Sequence, residues 1–131
     1  MISRSIFRAS APLLWTSKGV VTVFIGNSLI DSYEWHEAFG NVNVENRGIN
    51  GEQLSDLLDR MRPILDAQPK KIFLMAGTND LAKGVKVDSV IGLFEKFTQQ
   101  VHLDSKRTKL FIFSILPTAK YAGRNAKSII E

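Results

Sequence analysis

Residues 20–29, VVTVFIGNSL, join an uninterrupted apolar run to a short polar turn. The run is rich in β-branched and aromatic side chains, so a buried strand is predicted over residues 20–25. The turn Gly26-Asn27-Ser28-Leu29 would carry the Ser28 hydroxyl at the carboxyl end of that strand. Open α/β folds bind their ligands at this end of the sheet.

Two further polar loops follow strand-like runs in the same way. Asn46-Arg47-Gly48-Ile49-Asn50-Gly51 comes after residues 42–45, and Gly77-Thr78-Asn79-Asp80 comes after residues 71–75. A hydroxyl nucleophile and fixed amide donors are the groups that acyl transfer requires. Three loops with Ser, Gly and Asn at strand ends therefore favour an acyl-transfer site.

Amphipathic stretches lie between these runs, so the chain alternates strand and helix. Pro63 falls inside the second helix and is expected to kink or split it. Nearly continuous apolar strands separated by helices predict a parallel sheet in a three-layer α/β/α domain. The predicted strands cover 20–25, 42–46, 71–75 and 110–115, and the predicted helices cover 31–39, 52–67 and 88–103, with a last helix beginning after Pro117.

Length and composition exclude several classes of protein. The 131 residues suit one domain, and the absence of cysteine excludes disulfides and thiolate chemistry. No apolar run approaches the length of a membrane-spanning helix. The net charge of +4 is carried by the two ends of the chain, while residues 31–116 are close to neutral. A nucleic-acid partner is therefore not expected. No pair of histidines has metal-ligand spacing, so a metal site is not expected, and no cofactor is expected either.

Residues 1–19 are free of acidic side chains and contain one short apolar patch, which Pro12 interrupts. That pattern does not fit a secretory signal, so we expect a poorly ordered extension, with a cytoplasmic location as the default. The α/β domain is then expected to occupy residues 20–131.

The three loops, in this order and at this spacing, resemble the first three sequence blocks of the SGNH, or GDSL, hydrolase family. The resemblance covers roughly residues 20–120 and implies a flavodoxin-like α/β/α fold. It also implies hydrolysis of an acyl ester such as a lipid, a sugar acetate or a thioester. By position, Ser28 would be the nucleophile. The oxyanion hole would consist of the Ser28 and Gly51 backbone amides and the Asn79 side-chain amide.

Two features depart from the family pattern. Asn27 stands where the first block usually has aspartate, which is not a member of the catalytic triad. The family's Asp-x-x-His block, which supplies the base, is not present, and neither His36 nor His102 is a convincing substitute. We therefore expect a C-terminally incomplete domain that lacks the triad base. The exposed edge of its fourth strand would favour self-association.

Each site residue also has an ordinary structural interpretation. Ser28 could cap the following helix together with Asp31, and Asn50 with Gln53 could cap the next one. Gly48 and Gly51 could be turn glycines, and Asn79-Asp80 could form an Asx turn. The coincidence of all three loops at successive strand ends favours the site.

Two other functions are compatible with the same residues. A binding module would hold an acyl or carbohydrate ligand without cleaving it. A phosphate- or nucleotide-binding domain would use the helix that follows Ser28 as an anion site. The second is less well supported, because no Gly-x-x-x-x-Gly-Lys or Gly-x-Gly-x-x-Gly motif follows the first strand.

Overall fold

Four parallel strands form one sheet in the order β2-β1-β3-β4. The structure is a computed structural model and describes residues 22–40 and 43–116. The strands are β1 (Thr22–Gly26), β2 (Val44–Gly48), β3 (Lys71–Met75) and β4 (Lys109–Ile112). The order matches the first four strands of a flavodoxin-like sheet, in which β1 lies between β2 and β3.

Helices cover both faces of the sheet, which confirms the predicted α/β class. They are α1 (Ser28–Asp31), α2 (Trp35–Phe39), α3 (Leu54–Arg60), α4 (Arg62–Asp66), α5 (Thr78–Ala82) and α6 (Val87–Asp104). Because side chains alternate along a strand, Val23 and Ile25 face one side and Phe24 faces the other. The first side joins the main core with α3 to α6, and the second packs on Ile30 and Trp35.

Most of the apolar residues that recur at helical spacing in the longer helices are buried, while Leu58 and Phe94 are half-buried. Leu54, Leu57, Met61 and Leu65 line the core from α3 and α4, as do Val90, Phe97 and Val101 from α6. The helix predicted over residues 52–67 is split at Met61, and Pro63 occupies the first turn of α4. A proline is tolerated there because the first amides of a helix have no partner within the helix.

Several predicted boundaries are corrected. The single helix expected over 31–39 is two short helices, with residues 32–34 between them. A short helix, α5, begins inside the third loop and was not predicted. β2 extends to Gly48, and β4 ends at Ile112 rather than at Ile115. The extension 1–19 and the helix after Pro117 lie outside the described residues.

An aromatic row crosses the sheet on the face of α1 and α2. Phe24, Phe73 and Phe111 are paired in register on adjacent strands, and each neighbouring pair of rings is 4.8 Å apart. β4 is the last strand on this side of the described sheet, and Phe111 and Ile112 on it are 43% and 45% exposed. Self-association through this edge stays a prediction.

Candidate active site

The three polar loops follow adjacent strands, at the carboxyl ends of the parallel sheet. Main-chain hydrogen bonds join them to the strands beside them. The Ile49 amide donates to the Gly26 carbonyl at 2.9 Å, and the Asn27 amide donates to the Met75 carbonyl at 3.2 Å. The loops that sequence analysis singled out are thus brought together at one edge.

Ser28 is the first residue of α1, and it does not cap that helix. The cap is Asn27, whose Oδ1 accepts a hydrogen bond from the Leu29 amide at 3.1 Å while its side chain is buried. The capping interpretation of Ser28 is therefore wrong. Neither the hydroxyl nor the amide of Ser28 forms a hydrogen bond with any residue that the structure describes. Both groups remain available to a ligand.

Asn46 holds the end of the helix that carries Ser28. Its Nδ2 lies 2.8, 3.2 and 2.9 Å from the carbonyl oxygens of Ile30, Asp31 and Tyr33, and its two hydrogens are shared among these three acceptors. Its Oδ1 accepts from the Gly48 amide at 2.9 Å. These carbonyls lie at and just beyond the end of α1, where a helix leaves acceptors without partners. One side chain therefore ends α1 and attaches it to β2.

Gly51 lies at the exposed tip of the second loop, in the left-handed region with φ of +78°. Glycine adopts this conformation without the penalty that a Cβ brings. Within the described part of the chain, nothing accepts a hydrogen bond from the Gly51 amide. The cap of α3 is Gln53, whose amide donates to Asp56 Oδ2 at 3.0 Å, so the cap proposed at Asn50 is wrong.

Asn79 reaches from the third loop to the second. It is half-buried in the first turn of α5, and its Nδ2 donates to the Glu52 carbonyl at 2.9 Å. A carboxamide nitrogen carries two hydrogens, so a second N–H remains for a ligand. The side chain therefore lies beside the residue that follows Gly51.

Asp80 makes a second connection between the same two loops. It is 1% exposed, and both carboxylate oxygens accept from the Leu54 amide at 3.2 Å. Burial raises the pKa of Asp80, although the hydrogen bond from Leu54 opposes this by favouring the charged form. The contact ties the start of α3 to the start of α5.

Glu52 and Arg60 form a partly buried ion pair behind the second loop. Arg60 Nε and Nη2 donate to the two Glu52 carboxylate oxygens at 2.5 Å each, and Glu52 is 6% exposed. Burial raises the pKa of Glu52, and Arg60 acts against that rise by hydrogen bonding and by charge. No role was predicted for Glu52 or Arg60, and Asp80 was considered only as part of an Asx turn with Asn79. The sequence signal for the Glu52–Arg60 pair is an acidic residue directly after the loop glycine and an arginine eight residues later, about two helical turns away.

His102 lies far from the three loops. His102 is exposed in the last turn of α6, 15 residues after the helix begins, which is roughly 22 Å along its axis. That end of α6 lies beside the start of β3, where Gln68 Nε2 donates to the Asp104 carbonyl at 2.7 Å. His102 is therefore at the opposite edge of the sheet. His36 lies in α2.

The described residues contain no group of three His, Asp or Glu side chains that could hold a metal ion. None of the helices in this part of the chain is long and apolar enough to cross a membrane.

Comparison with known proteins places the chain in a family. The model of the GDSL-like lipase/acylhydrolase family matches residues 21–130, and the chain belongs to that family. Comparison with curated proteins gave no match.

Several solved structures have the same fold. A protein from Streptococcus pneumonia, provisionally named as a platelet activating factor, is 32% identical with a TM-score of 0.73 over 88% of this chain. A provisionally named acylhydrolase from Bacteroides fragilis is 19% identical with a TM-score of 0.74 over 93%. AlinE4, an SGNH-hydrolase family esterase, is 19% identical with a TM-score of 0.63 over 85%. The chain spans 54% of the first of these structures and 67% of each of the other two.

Proposed function

We propose that this chain carries the nucleophile and the oxyanion hole of a serine-dependent ester hydrolase. Ser28 Oγ attacks the carbonyl carbon of an acyl ester and gives its proton to a base. Negative charge then develops on the former carbonyl oxygen. The tetrahedral intermediate collapses with loss of the alcohol, and water hydrolyses the resulting acyl-Ser28 to release the acid.

One observation carries this proposal. The hydroxyl and amide of Ser28 and the amide of Gly51 have no hydrogen-bonding partner among the described residues, although the strands that carry them are adjacent. Asn79 adds an amide with one N–H to spare. Donors fixed before the reaction stabilise an oxyanion because no reorganisation is needed when the charge appears, and each is worth about 2.7–4 kcal/mol of barrier. A neutral amide provides this without adding a charge of its own.

We also propose that residues 1–131 do not contain the base of the catalytic triad. His102 is remote from Ser28, and no Asp-x-x-His pair follows β4 in this sequence. A serine without its base reacts slowly, but an oxyanion hole alone retains about 10³–10⁴-fold catalysis over water. The substrate would be a small acyl ester such as a lipid, a sugar acetate or a thioester, as the family assignment supports.

The test is the intact mass of the chain after incubation with a fluorophosphonate, with imidazole added as an external base. We expect a single adduct that forms slowly, forms faster as imidazole is raised, and is lost in Ser28→Ala. No adduct on a folded sample at high imidazole would contradict the proposed nucleophile. An equal rate without imidazole would show that a base is already present. Saturable binding of an ester without any adduct would favour a binding module instead.

A further inference from the structure

The conformation of Gly51 must be set by its neighbours, because Gly51 makes little contact of its own. A Cβ added at this position would have no heavy atom within 4 Å, apart from the adjoining residues. The residue is also exposed and has an unusual φ of +78°. An exposed loop tip with few contacts is mobile unless the chain on each side of it is held in place.

Arg60 fixes the chain on both sides of this tip. Its Nη2 donates to the Arg47 carbonyl at 2.7 Å, near the end of β2. The same guanidinium donates to the Glu52 carboxylate, just after Gly51. Arginine is suited to this role because its planar donors can serve two acceptors at once. One side chain from α3 thus closes the loop from residue 47 to residue 52.

Glu52 extends the same connection to the third loop. Its side chain pairs with Arg60, while its main-chain carbonyl accepts from Asn79 Nδ2. A shift of Glu52 would therefore move the Gly51 amide on one side and release the Asn79 amide on the other. Two donors from different loops depend on the position of a single residue.

We propose that Arg60, through its pair with Glu52, is a positioning residue that sets the distance between the Gly51 and Asn79 amides. This inference rests on the proposed function, because it assumes that both amides face the same oxyanion. Arg60 itself does not touch the reacting atoms. Its contribution is that both amides are already in place when the charge develops.

The experiment compares Arg60→Met with Arg62→Met in the full chain. Arg62 is the matched control, because it is exposed and its ion pairs, with Asp66 at 2.9 Å and with Asp104 at 3.5 Å, do not involve the three loops. In the presence of imidazole, R60M should lower the maximal rate of fluorophosphonate labelling about 10²-fold, the effect expected of a misplacement near 1 Å. The half-saturating probe concentration should stay within about two-fold, since the probe's remote contacts are unchanged. R62M should match the wild type.

Two additional variants separate positioning from folding. R60M leaves a buried carboxylate without its partner, so E52Q/R60M, which removes both charges, is measured beside it. Arg60→Lys keeps the positive charge but cannot hold both ends of the loop, so it should restore stability to urea without restoring the labelling rate. A purely structural ion pair would give recovery of both in R60K.

A second readout does not depend on labelling. In R60M and in E52Q/R60M, the side-chain amide protons of Asn79 should exchange faster with water while the amides of β1 keep their protection. If the wild type never labels at Ser28, the proposed function fails, and this exchange still decides the inference. The positioning role would be overturned if R60M and E52Q/R60M were labelled at the same rate as R62M. It would also be overturned if the exchange of the Asn79 side-chain amide protons were the same as in the wild type.

Discussion

The turn after β1 and the loop after β2 belong to the same candidate site but are held in different ways. The Ser28 turn is fixed by main-chain hydrogen bonds and by close packing at two glycines. A Cβ on Gly26 would lie 2.0 Å from the Met75 carbonyl oxygen, and one on Gly48 would lie 2.2 Å from the Asp31 amide nitrogen. The Gly51 loop also has a main-chain bond, from the Ile49 amide to the Gly26 carbonyl, but beyond the glycine it is held by the Glu52–Arg60 ion pair, and it is open around the glycine.

The difference indicates which changes each region tolerates. The Ser28 turn depends on the absence of side-chain volume, so it should be insensitive to charge but intolerant of a single methyl group. The Gly51 loop depends on the Glu52–Arg60 pair and should tolerate added volume at its tip.

Gly48→Ala should destabilise the fold by about 3 kcal/mol or more, because the new Cβ meets main-chain atoms of Ile30 and Asp31 that cannot move independently of α1. The measurement is the free energy of unfolding in urea. A loss below about 1 kcal/mol would show that α1 adjusts freely, and the account of how Ser28 is held would be wrong.

Gly51→Ala is the matched substitution in the other region. Nothing beyond the adjoining residues lies within 4 Å of the added Cβ, so the cost comes only from the left-handed backbone and should be about 1–2 kcal/mol. The same urea titration measures it. A loss as large as that of G48A would remove the proposed distinction between a packed turn and an open loop.

The smallest effect is a pH dependence at Asp80. Burial raises the pKa of this carboxyl in the folded chain, so the folded state holds the proton more tightly than the unfolded state. Its contribution to stability is fully present below its ordinary pKa of about 4 and is lost as the pH rises through the raised value. The stability of the wild type relative to Asp80→Asn should therefore fall as the pH rises above about 4.

Urea unfolding of both chains at several pH values measures this difference. Glu52 titrates in the wild type and in D80N alike, so its contribution largely cancels. A stability difference that is constant with pH, or that grows as the pH rises, would contradict the assigned direction.

The sequence predicted those features that depend on local pattern. β3 has the predicted bounds of 71–75, and most of the stripe residues of α3, α4 and α6 are buried as their periodicity requires. The split near Pro63 was also predictable, since proline cannot continue a helix from the turn before it. The three loops were located because glycine and asparagine follow apolar runs, although β1 ends one residue and β2 two residues beyond the predicted bounds.

The features that were missed depend on contacts between distant residues. α1 ends early because Asn46, which is 13–16 residues away, binds its terminal carbonyls. Asp80 reaches Leu54 across 26 residues, and Asn79 reaches Glu52 across 27. Local periodicity contains no information on such pairs, so the residues that hold the candidate donors in place were visible only in the fold.

The most direct test of the account is whether Asn79, on a different loop from Ser28, affects chemistry at the Ser28 oxygen. Fluorophosphonate labelling of Asn79→Ala is compared with that of the wild type at fixed imidazole, with folding verified for both. The account predicts labelling at Ser28 that is about 10²–10³-fold slower in N79A, as for the loss of one oxyanion donor. Equal rates in the two chains would show that Asn79 does not face the reacting atom and would contradict the account.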